Sequence, residues 1–175
     1  MKPHLFTIAI ALLLATSASA QVTREEVAGV TNFARLKTTV ACAGATKPEA
    51  LSGIKQMGFV SVINLRQASE QGANVEAEGE AAKAAGLQYV HLPFNSSSPD
   101  AAVVDQFLKA ITEPGREPAF IHCAGGGRAA TMWLVKRVLV DKWELDPAVE
   151  EATALGLTNP KLKQFALDYI AAHRK

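Results

Sequence analysis

The chain has 175 residues, of which 49% are apolar and 20% are charged, and its formal net charge is +1. This length and composition fit one folded domain with a sizeable core and exclude an intrinsically disordered chain. No basic excess is available to neutralise a phosphate backbone, which disfavours a nucleic-acid partner. Two cysteines are too few for a disulfide-rich scaffold or a four-thiolate zinc site.

Residues 1–20 have the features of a secretory signal peptide. Lys2 supplies positive charge, residues 5–15 form an apolar run, and Ala18-Ser19-Ala20 fits a cleavage site. The alternative is an N-terminal membrane anchor, which is disfavoured because a membrane-spanning helix needs roughly 20 apolar residues. We therefore expect an exported, periplasmic protein in which residues 21–175 form a single domain that does not contact the membrane.

Helix starts are indicated by capping residues and by proline in the first turn. Thr23 and Glu26 have the spacing of a capping box and predict a short first helix. Thr46-Lys47-Pro48-Glu49 repeats this signal before an apolar helical face that ends at Gly58. Further helices are predicted over residues 76–85, after Ser98-Pro99-Asp100, from Asp146-Pro147 to Gly156, and after Asn159-Pro160.

Short β-type runs alternate with these helices. Such alternation predicts an α/β fold with a central, mostly parallel sheet of four or five strands, flanked by helices on both faces. In open sheets of this kind, functional sites gather at the carboxyl ends of the strands. The four runs are residues 38–41, 60–63, 87–90 and 119–121.

The segment from Ala119 to Trp133 carries the strongest functional signal. A strand leads into His122 and Cys123, then into Ala124 and the three glycines 125–127, then into Arg128 and an apolar helix. A glycine-rich loop at a helix N-terminus can turn its N–H groups inward and bind an anion. This setting favours the thiolate form of Cys123, which is the competent nucleophile, and Arg128 can hold two oxygens of a tetrahedral anion.

This loop resembles that of the protein tyrosine phosphatase superfamily, whose motif is His-Cys, five residues, Arg, then Ser or Thr. Flanking phrases extend the resemblance to a small bacterial branch, the phosphatase-like domain of beta-lactamase hydrolase-like proteins. They are Asn32-Phe33, residues 43–51, residues 58–66 and residues 89–93. The resemblance implies a phosphatase-like fold, a cysteine nucleophile, and neither a metal nor another cofactor.

The spacing within the loop departs from the superfamily motif. Only four residues, Ala124 to Gly127, separate Cys123 from Arg128, where the phosphatases have five. Four is the spacing in many rhodanese-type sulfurtransferase loops, which carry a persulfide on the cysteine. The shorter loop therefore also fits sulfur transfer.

Two further departures concern groups that assist phosphate chemistry. Ala129 stands where the superfamily usually has a hydroxyl that helps the thiolate to leave the phosphoenzyme, and Thr131 lies further along the helix. The usual aspartic acid is also missing, because Asn95 lies near its place. Asp100 is the nearest carboxylate and is the candidate general acid, although it also fits the first turn of a helix.

Several other residues have competing interpretations. His122 is expected to hydrogen-bond the loop backbone. Arg66 follows a strand and either binds the substrate anion or pairs with Glu70. Cys42 is a buried inert thiol, a disulfide partner of Cys123, or a resolving thiol in sulfur transfer. His91, Met132 and Trp133 are interpreted as core or rim residues.

Three functions follow from these patterns. The first is a cysteine-dependent phosphatase that forms a cysteinyl-phosphate on Cys123 and acts on a small phosphate ester or a phosphoprotein. The second is a sulfurtransferase that uses a Cys123 persulfide. The third is a module that binds an anion without turnover. The sequence leaves the substrate and the oligomeric state open.

Overall fold

The computed structural model describes residues 22–37 and 39–174, so the predicted signal peptide lies outside the described residues. Strands and helices alternate through most of the chain. In order they are β1 (Val22–Arg24), β2 (Ala34–Leu36), β3 (Val40–Ala43), a 3-10 turn (Pro48–Ala50), α1 (Leu51–Gln56), β4 (Ser61–Asn64), α2 (Val75–Ala84), β5 (Gln88–His91), α3 (Ala101–Ile111), β6 (Ala119–His122), α4 (Gly127–Leu139), α5 (Leu145–Leu155) and α6 (Pro160–His173).

The strands form one mixed sheet in the order β1-β2-β3-β6-β4-β5. The four strands β3, β6, β4 and β5 are parallel, whereas β1 and β2 pair antiparallel at one edge. In the centre, Cys42 and Ile63 lie on either side of Ile121. The predicted α/β fold is confirmed, with six strands rather than four or five. The central register brings the carboxyl ends of β3, β6 and β4 together.

Helices cover both faces of the sheet, so every residue of the central strands β3, β4 and β6 is buried. On one face α1 and α2 enclose an aromatic core built around Phe33, Phe59 and Phe120. On the other face α4 lies between the sheet, α5 and α6, and nearly all of its side chains are buried, including Met132 and Trp133. The helix that follows the glycine loop is therefore central, as predicted.

Most predicted helix starts lie within a residue or two of the observed ones. Asp100 caps α3 by accepting the N–H of Ala102 at 2.9 Å, and Asn159 caps α6 by accepting the N–H of Lys161 at 2.9 Å. Thr46 does not cap its helix, since its hydroxyl donates to the carbonyl of Gly44. Among the described residues, no helix has the length and apolar character needed to cross a membrane.

The predicted first helix at Thr23 and Glu26 is wrong. Residues 22–24 form strand β1, which pairs with β2, and the chain then turns through Gly29 at a φ of +77°. The Thr23 hydroxyl contacts Glu25 at 3.4 Å instead of capping a helix. Backbone pairing with a strand ten residues away outweighs a two-residue capping signal. The edge strand β1 could therefore not be recognised from the local sequence.

Candidate active site

The loop between β6 and α4 forms the floor of the candidate site. The N–H of Cys123 donates to the carbonyl of Ala43 at 3.1 Å, which continues the pairing of β6 with β3. The Cys123 sulfur then accepts the N–H of Gly126 at 3.1 Å, and the residue is only 1% exposed. Gly126 has a φ of +98°, a conformation that favours glycine, and α4 begins directly after it. The sulfur therefore lies inside the loop, against the N-terminus of a buried helix.

Arg128 reaches back from the first turn of α4 across the carboxyl ends of the strands. Its Nη1 donates to the carbonyls of Leu65 at 3.0 Å and Phe94 at 2.8 Å. Its Nη1 and Nη2 also hold the two carboxylate oxygens of Glu70 at 2.6 and 2.8 Å. Glu70 thus occupies the outer edge of the guanidinium. The edge formed by Nε–H and the second Nη2–H has no carboxylate or carbonyl partner among the described residues.

Opposite charges keep this pair ionised. Hydrogen bonding from Arg128 is the largest cause that lowers the pKa of Glu70 to about 2. Burial by itself would lower the pKa of Arg128, but the hydrogen bond to Glu70 and the charge on Cys123 outweigh burial and raise it. Cys123 is thus one of the groups that favour the charged form of Arg128. The Cys123 sulfur, the Gly126 N–H and the Arg128 guanidinium lie at the carboxyl ends of β6 and β4, and their roles as nucleophile, anion-binding amide and clamp stay predictions.

Glu70 itself is held by the chain around it. It accepts the N–H of Gln67 at 2.8 Å and lies 3.4 Å from the Nε of Arg66. Arg66 is buried and donates to the carbonyls of Gln71 at 2.6 Å and Gly72 at 3.1 Å. The structure thus shows the Arg66–Glu70 pairing, one of the two sequence interpretations, and Arg66 holds the 67–72 loop in place. Contact between Arg66 and a substrate anion stays a prediction.

His122 makes a different contact from the one expected. Alternation along β6 turns its ring away from Cys123 and towards α2, where it stacks on Phe120. Its Nε2 contacts the carboxylate of Glu78 at 2.6 Å, and both side chains are buried. The predicted hydrogen bond to the loop backbone is not formed, and Nδ1 has no partner among the described residues. His122 therefore connects the loop to helix α2.

Two polar side chains on neighbouring strands complete this buried cluster. Asn64 donates to Glu78 at 3.1 Å and to the hydroxyl of Tyr89 at 3.0 Å. Burial, followed by the charge of Glu78, raises the pKa of Tyr89, so its phenol stays protonated. Sequence reasoning missed Glu78 and Asn64. One signal was available, because Glu78 precedes the buried Ala82 by one helical turn and so lies on the inner face of α2.

Asp100, the candidate acid, lies at the start of α3, and Ala129, which lacks the usual hydroxyl, lies in the first turn of α4. The carboxylate of Asp100 caps α3, and Asn95 accepts the N–H of Ser97 at 2.9 Å. The segment that leads from Asn95 to Asp100 starts next to the site, because the carbonyl of Phe94 accepts a hydrogen bond from Arg128. A role for Asp100 as acid stays a prediction. The Thr131 hydroxyl donates to the carbonyl of Gly127 at 2.8 Å, so it does not replace the hydroxyl absent at Ala129.

Cys42 lies in β3, next to β6. It pairs in register with Ile121, and Cys123 lies two residues further on, on the same face of the sheet. Burial, then the charge of Cys123, raises the pKa of the Cys42 thiol well above its usual range. Both thiols are free in the structure. A disulfide between them, or a resolving role for Cys42, stays a prediction.

His91 fits the interpretation of a rim residue, since its Nε2 contacts the carbonyl of Arg66 at 2.7 Å. Within residues 22–37 and 39–174, no cluster of three or more His, Cys, Asp or Glu side chains has an arrangement suited to a metal.

Comparison with solved structures places the fold among phosphatases. The DUF442 protein of Shewanella putrefaciens CN-32 superposes with a TM-score of 0.69 at 22% identity, over 83% of this chain and 95% of that one. TpbA of P. aeruginosa gives 0.65 at 18% identity, over 90% and 92%. The core catalytic domain of the PP-IP phosphatase SIW14 of S. cerevisiae gives 0.64 at 16%, over 81% and 87%. At these identities the likeness concerns the fold alone.

Sequence comparison adds the family. A beta-lactamase hydrolase-like protein of Agrobacterium fabrum is 31% identical over 108 residues, which are 60% of this chain and 25% of the relative. One of Xylella fastidiosa Temecula1 is 31% identical over 121 residues, 67% of this chain and 26% of the relative. The chain thus spans about a quarter of the length of these relatives. The family described as beta-lactamase hydrolase-like protein, phosphatase-like domain, matches residues 32–140, more than half of the chain. The resemblance to a phosphatase-like enzyme is thereby confirmed, and the chain belongs to this family of phosphatase-like domains.

Proposed function

We propose that this protein is a cysteine-dependent phosphatase that cleaves a phosphate monoester. The observation that carries this proposal is the loop geometry: the Cys123 sulfur accepts the N–H of Gly126, and Arg128 lies at the same end of the sheet with Glu70 on one edge of its guanidinium. A thiolate held by an amide and a cation is a nucleophile placed next to an anion site. The family and the phosphatase folds that superpose on this chain support the same activity.

The proposed reaction has two steps. In the first, the Cys123 thiolate attacks phosphorus, the bond from phosphorus to the ester oxygen breaks, and the leaving oxygen takes a proton or departs as an aryl oxide. In the second, water attacks phosphorus, the bond to sulfur breaks, and inorganic phosphate and the thiolate are released. The free edge of Arg128 and the loop amides hold the phosphoryl oxygens as charge builds on them. Asp100 is the proposed proton donor.

A cavity of about 410 Å³ beside the loop offers room for the rest of the ester. It is lined by Thr31, Ala45, Lys47 and Gly72 among others, and it adjoins the loop at Ala45, whose N–H donates to the carbonyl of Ala124 at 2.9 Å. Related folds have been solved with phosphotyrosine bound to a TpbA variant, and SIW14 is a phosphatase of PP-IP. We therefore propose an activated phosphate ester as substrate, with aryl phosphates as the first class to test.

The test is hydrolysis of an aryl phosphate in the presence of reductant, which keeps both cysteines as thiols. We expect Cys123→Ser to abolish turnover while its circular dichroism stays that of the wild type. Cys42→Ala is the matched control, because it alters the other buried cysteine on the adjacent strand, and it should keep turnover. Wild-type activity in Cys123→Ser, or no turnover of any phosphate ester by the wild type, would refute the proposal.

Sulfur transfer is the second candidate, and the four-residue spacing between Cys123 and Arg128 favours it. In that reaction the thiolate attacks the outer sulfur of thiosulfate, sulfite leaves, and a persulfide forms on Cys123. Cyanide then removes that sulfur as thiocyanate and restores the thiolate. No proton donor is needed, which fits Asp100 being engaged as a helix cap. Thiocyanate formation, with Cys123 heavier by one sulfur atom after thiosulfate alone, would establish this activity. Binding of inorganic phosphate without either turnover would instead indicate an anion-binding module.

A further inference from the structure

The peptide group between Gly125 and Gly126 has a defined orientation in the loop. Its N–H, on Gly126, points inward and donates to the Cys123 sulfur at 3.1 Å. Its carbonyl, on Gly125, points the opposite way because the peptide is trans, and it accepts the side-chain amide of Asn32 at 3.2 Å. The contact of Asn32 with the Gly125 carbonyl is therefore coupled, through one rigid peptide group, to the hydrogen bond from Gly126 to the Cys123 sulfur.

The neighbouring peptide is held in a different way. The carbonyl of Ala124 accepts the backbone N–H of Ala45 at 2.9 Å, so a backbone pairing fixes that group. The next peptide lies in the same isolated antiparallel bridge, between Gly44 and Gly125, and its carbonyl has a side-chain partner in addition. Gly125 is exposed, and a methyl group added there would meet nothing within 4 Å, so packing does not restrain it. Two adjacent glycines also leave the backbone free to rotate. Asn32 is thus the side-chain contact that adds to this backbone bridge and holds the Gly125 carbonyl outward.

Asn32 is itself firmly placed. Its φ is +50°, a left-handed conformation that asparagine adopts more readily than most residues. The residue before it, Thr31, exchanges two backbone hydrogen bonds with Gly44 and Ala45 at 2.7 and 2.9 Å. A side chain on Gly44 would lie 2.3 Å from the Thr31 hydroxyl and 2.9 Å from the carbonyl of Ala124. The glycine at 44 therefore lets this turn approach the catalytic loop closely.

We propose that Asn32 is a positioning residue for the nucleophile. By holding the Gly125 carbonyl outward, its amide keeps the Gly126 N–H on the Cys123 sulfur and directed at an incoming anion. Without it, the peptide can rotate and bring the carbonyl oxygen towards the sulfur, which disfavours both the thiolate and a bound anion. This inference rests on the proposed function of the loop as an anion-binding nucleophile site.

The test measures Cys123 directly and needs no turnover. The reduced full chain is alkylated with iodoacetamide across a pH series, and modification of each cysteine is followed by mass spectrometry of its peptide. Asn32→Gly removes the amide and keeps a residue suited to the positive φ. We expect alkylation of Cys123 to shift to higher pH and to slow about two- to tenfold near neutrality, the range that one hydrogen bond supports. The inorganic phosphate concentration that protects Cys123 should rise by a similar factor.

Two variants and one internal reporter make the result decisive. Asn32→Asp keeps the side-chain shape but presents a carboxylate to the Gly125 carbonyl, so it should shift the profile at least as far. Lys142→Gly is the matched control, because Lys142 also has a positive φ, at +60°, in an exposed turn outside the site. Cys42 is buried inside strand β3, whereas Cys123 lies in the loop, so alkylation of both cysteines together reports unfolding and alkylation of Cys123 alone reports the folded loop.

A wild-type alkylation profile and wild-type phosphate protection in both folded Asn32 variants would overturn the inference. If the wild type hydrolyses no ester and transfers no sulfur, but the Asn32 variants still shift the profile, the proposed function fails and the positioning role stands.

Discussion

Two glutamates, Glu70 and Glu78, each pair with a residue of the segment 122–128, in very different surroundings. Glu70 lies in the loop after β4 and grips Arg128 at the rim of the site, where its side chain is 21% exposed. Glu78 lies in α2 and contacts His122 beneath the sheet, where its side chain is 4% exposed. The first pair lies at the carboxyl ends of the strands, beside the loop that contains Cys123, and the second is buried between β6 and α2.

This difference separates the tasks of the two carboxylates. A buried charge must be matched completely, because losing one partner leaves the other uncompensated in the interior. Glu78 satisfies His122 and Asn64 together, so we expect it to act mainly on stability. Arg128 has carbonyl partners besides Glu70, so loss of Glu70 leaves it anchored but less well aligned. Glu70 should therefore act mainly on the reaction.

The largest effect is expected from Glu78→Ala. This change leaves the Nε2 of His122 and the amide of Asn64 without their acceptor in the core, and it should lower the free energy of unfolding by about 3 kcal/mol. Urea denaturation of the reduced protein measures it. Glu80→Ala, an exposed position on the same helix, is the control and should change stability little. Equal urea midpoints for the two variants would show that the buried pair does not stabilise the fold.

Glu70→Gln tests whether Glu70 acts mainly on the reaction. The amide keeps the shape but provides one acceptor instead of two charged ones, so Arg128 loses one arm of its fork. We expect kcat/KM for the aryl phosphate to fall about tenfold, while the protein stays folded because the amide still accepts one hydrogen bond from Arg128. Glu113→Gln is the control, since Glu113 pairs with Arg116 on the surface, at 2.9 Å from its Nε, outside the site. A large loss of stability with unchanged kcat/KM would reverse the assignment of roles.

The features that the sequence could predict are those set by residues close together in the chain. Cys123, the glycines and Arg128 are contiguous, and a strand and a buried helix flank them, so their convergence follows from local order alone. The parallel strands follow because short apolar runs alternate with capped helices. Each of these signals spans fewer than about fifteen residues, within the reach of helix and strand periodicity.

The missed features depend on long-range pairing. Glu78 lies 44 residues before His122 in the sequence, and only the sheet register shows that β6 turns this ring towards α2. Strand β1 has three residues and exists because β2 pairs with it, whereas Thr23 and Glu26 resemble a helix cap locally. Glu70 was visible as a partner of Arg66, but its grip on Arg128, 58 residues later, depends on the fold.

The smallest expected effect is on acid stability, and it distinguishes the rim pair from the buried one. Arg128 lowers the pKa of Glu70 to about 2, from 4.5 in an unfolded chain, so Glu70 binds its proton more readily when the protein unfolds. Its contribution to stability is therefore complete above about pH 4.5 and is lost as the pH falls towards 2. Urea midpoints measured at steps through this window should fall less steeply in Glu70→Gln than in the wild type, because the variant has no carboxylate to protonate. The Glu113→Gln control should follow the wild-type slope more closely, since its surface pair is more exposed to solvent screening. Parallel slopes for the wild type and Glu70→Gln would mean that Arg128 does not hold the Glu70 carboxylate in solution, and the free guanidinium edge on which anion binding depends would lose its support.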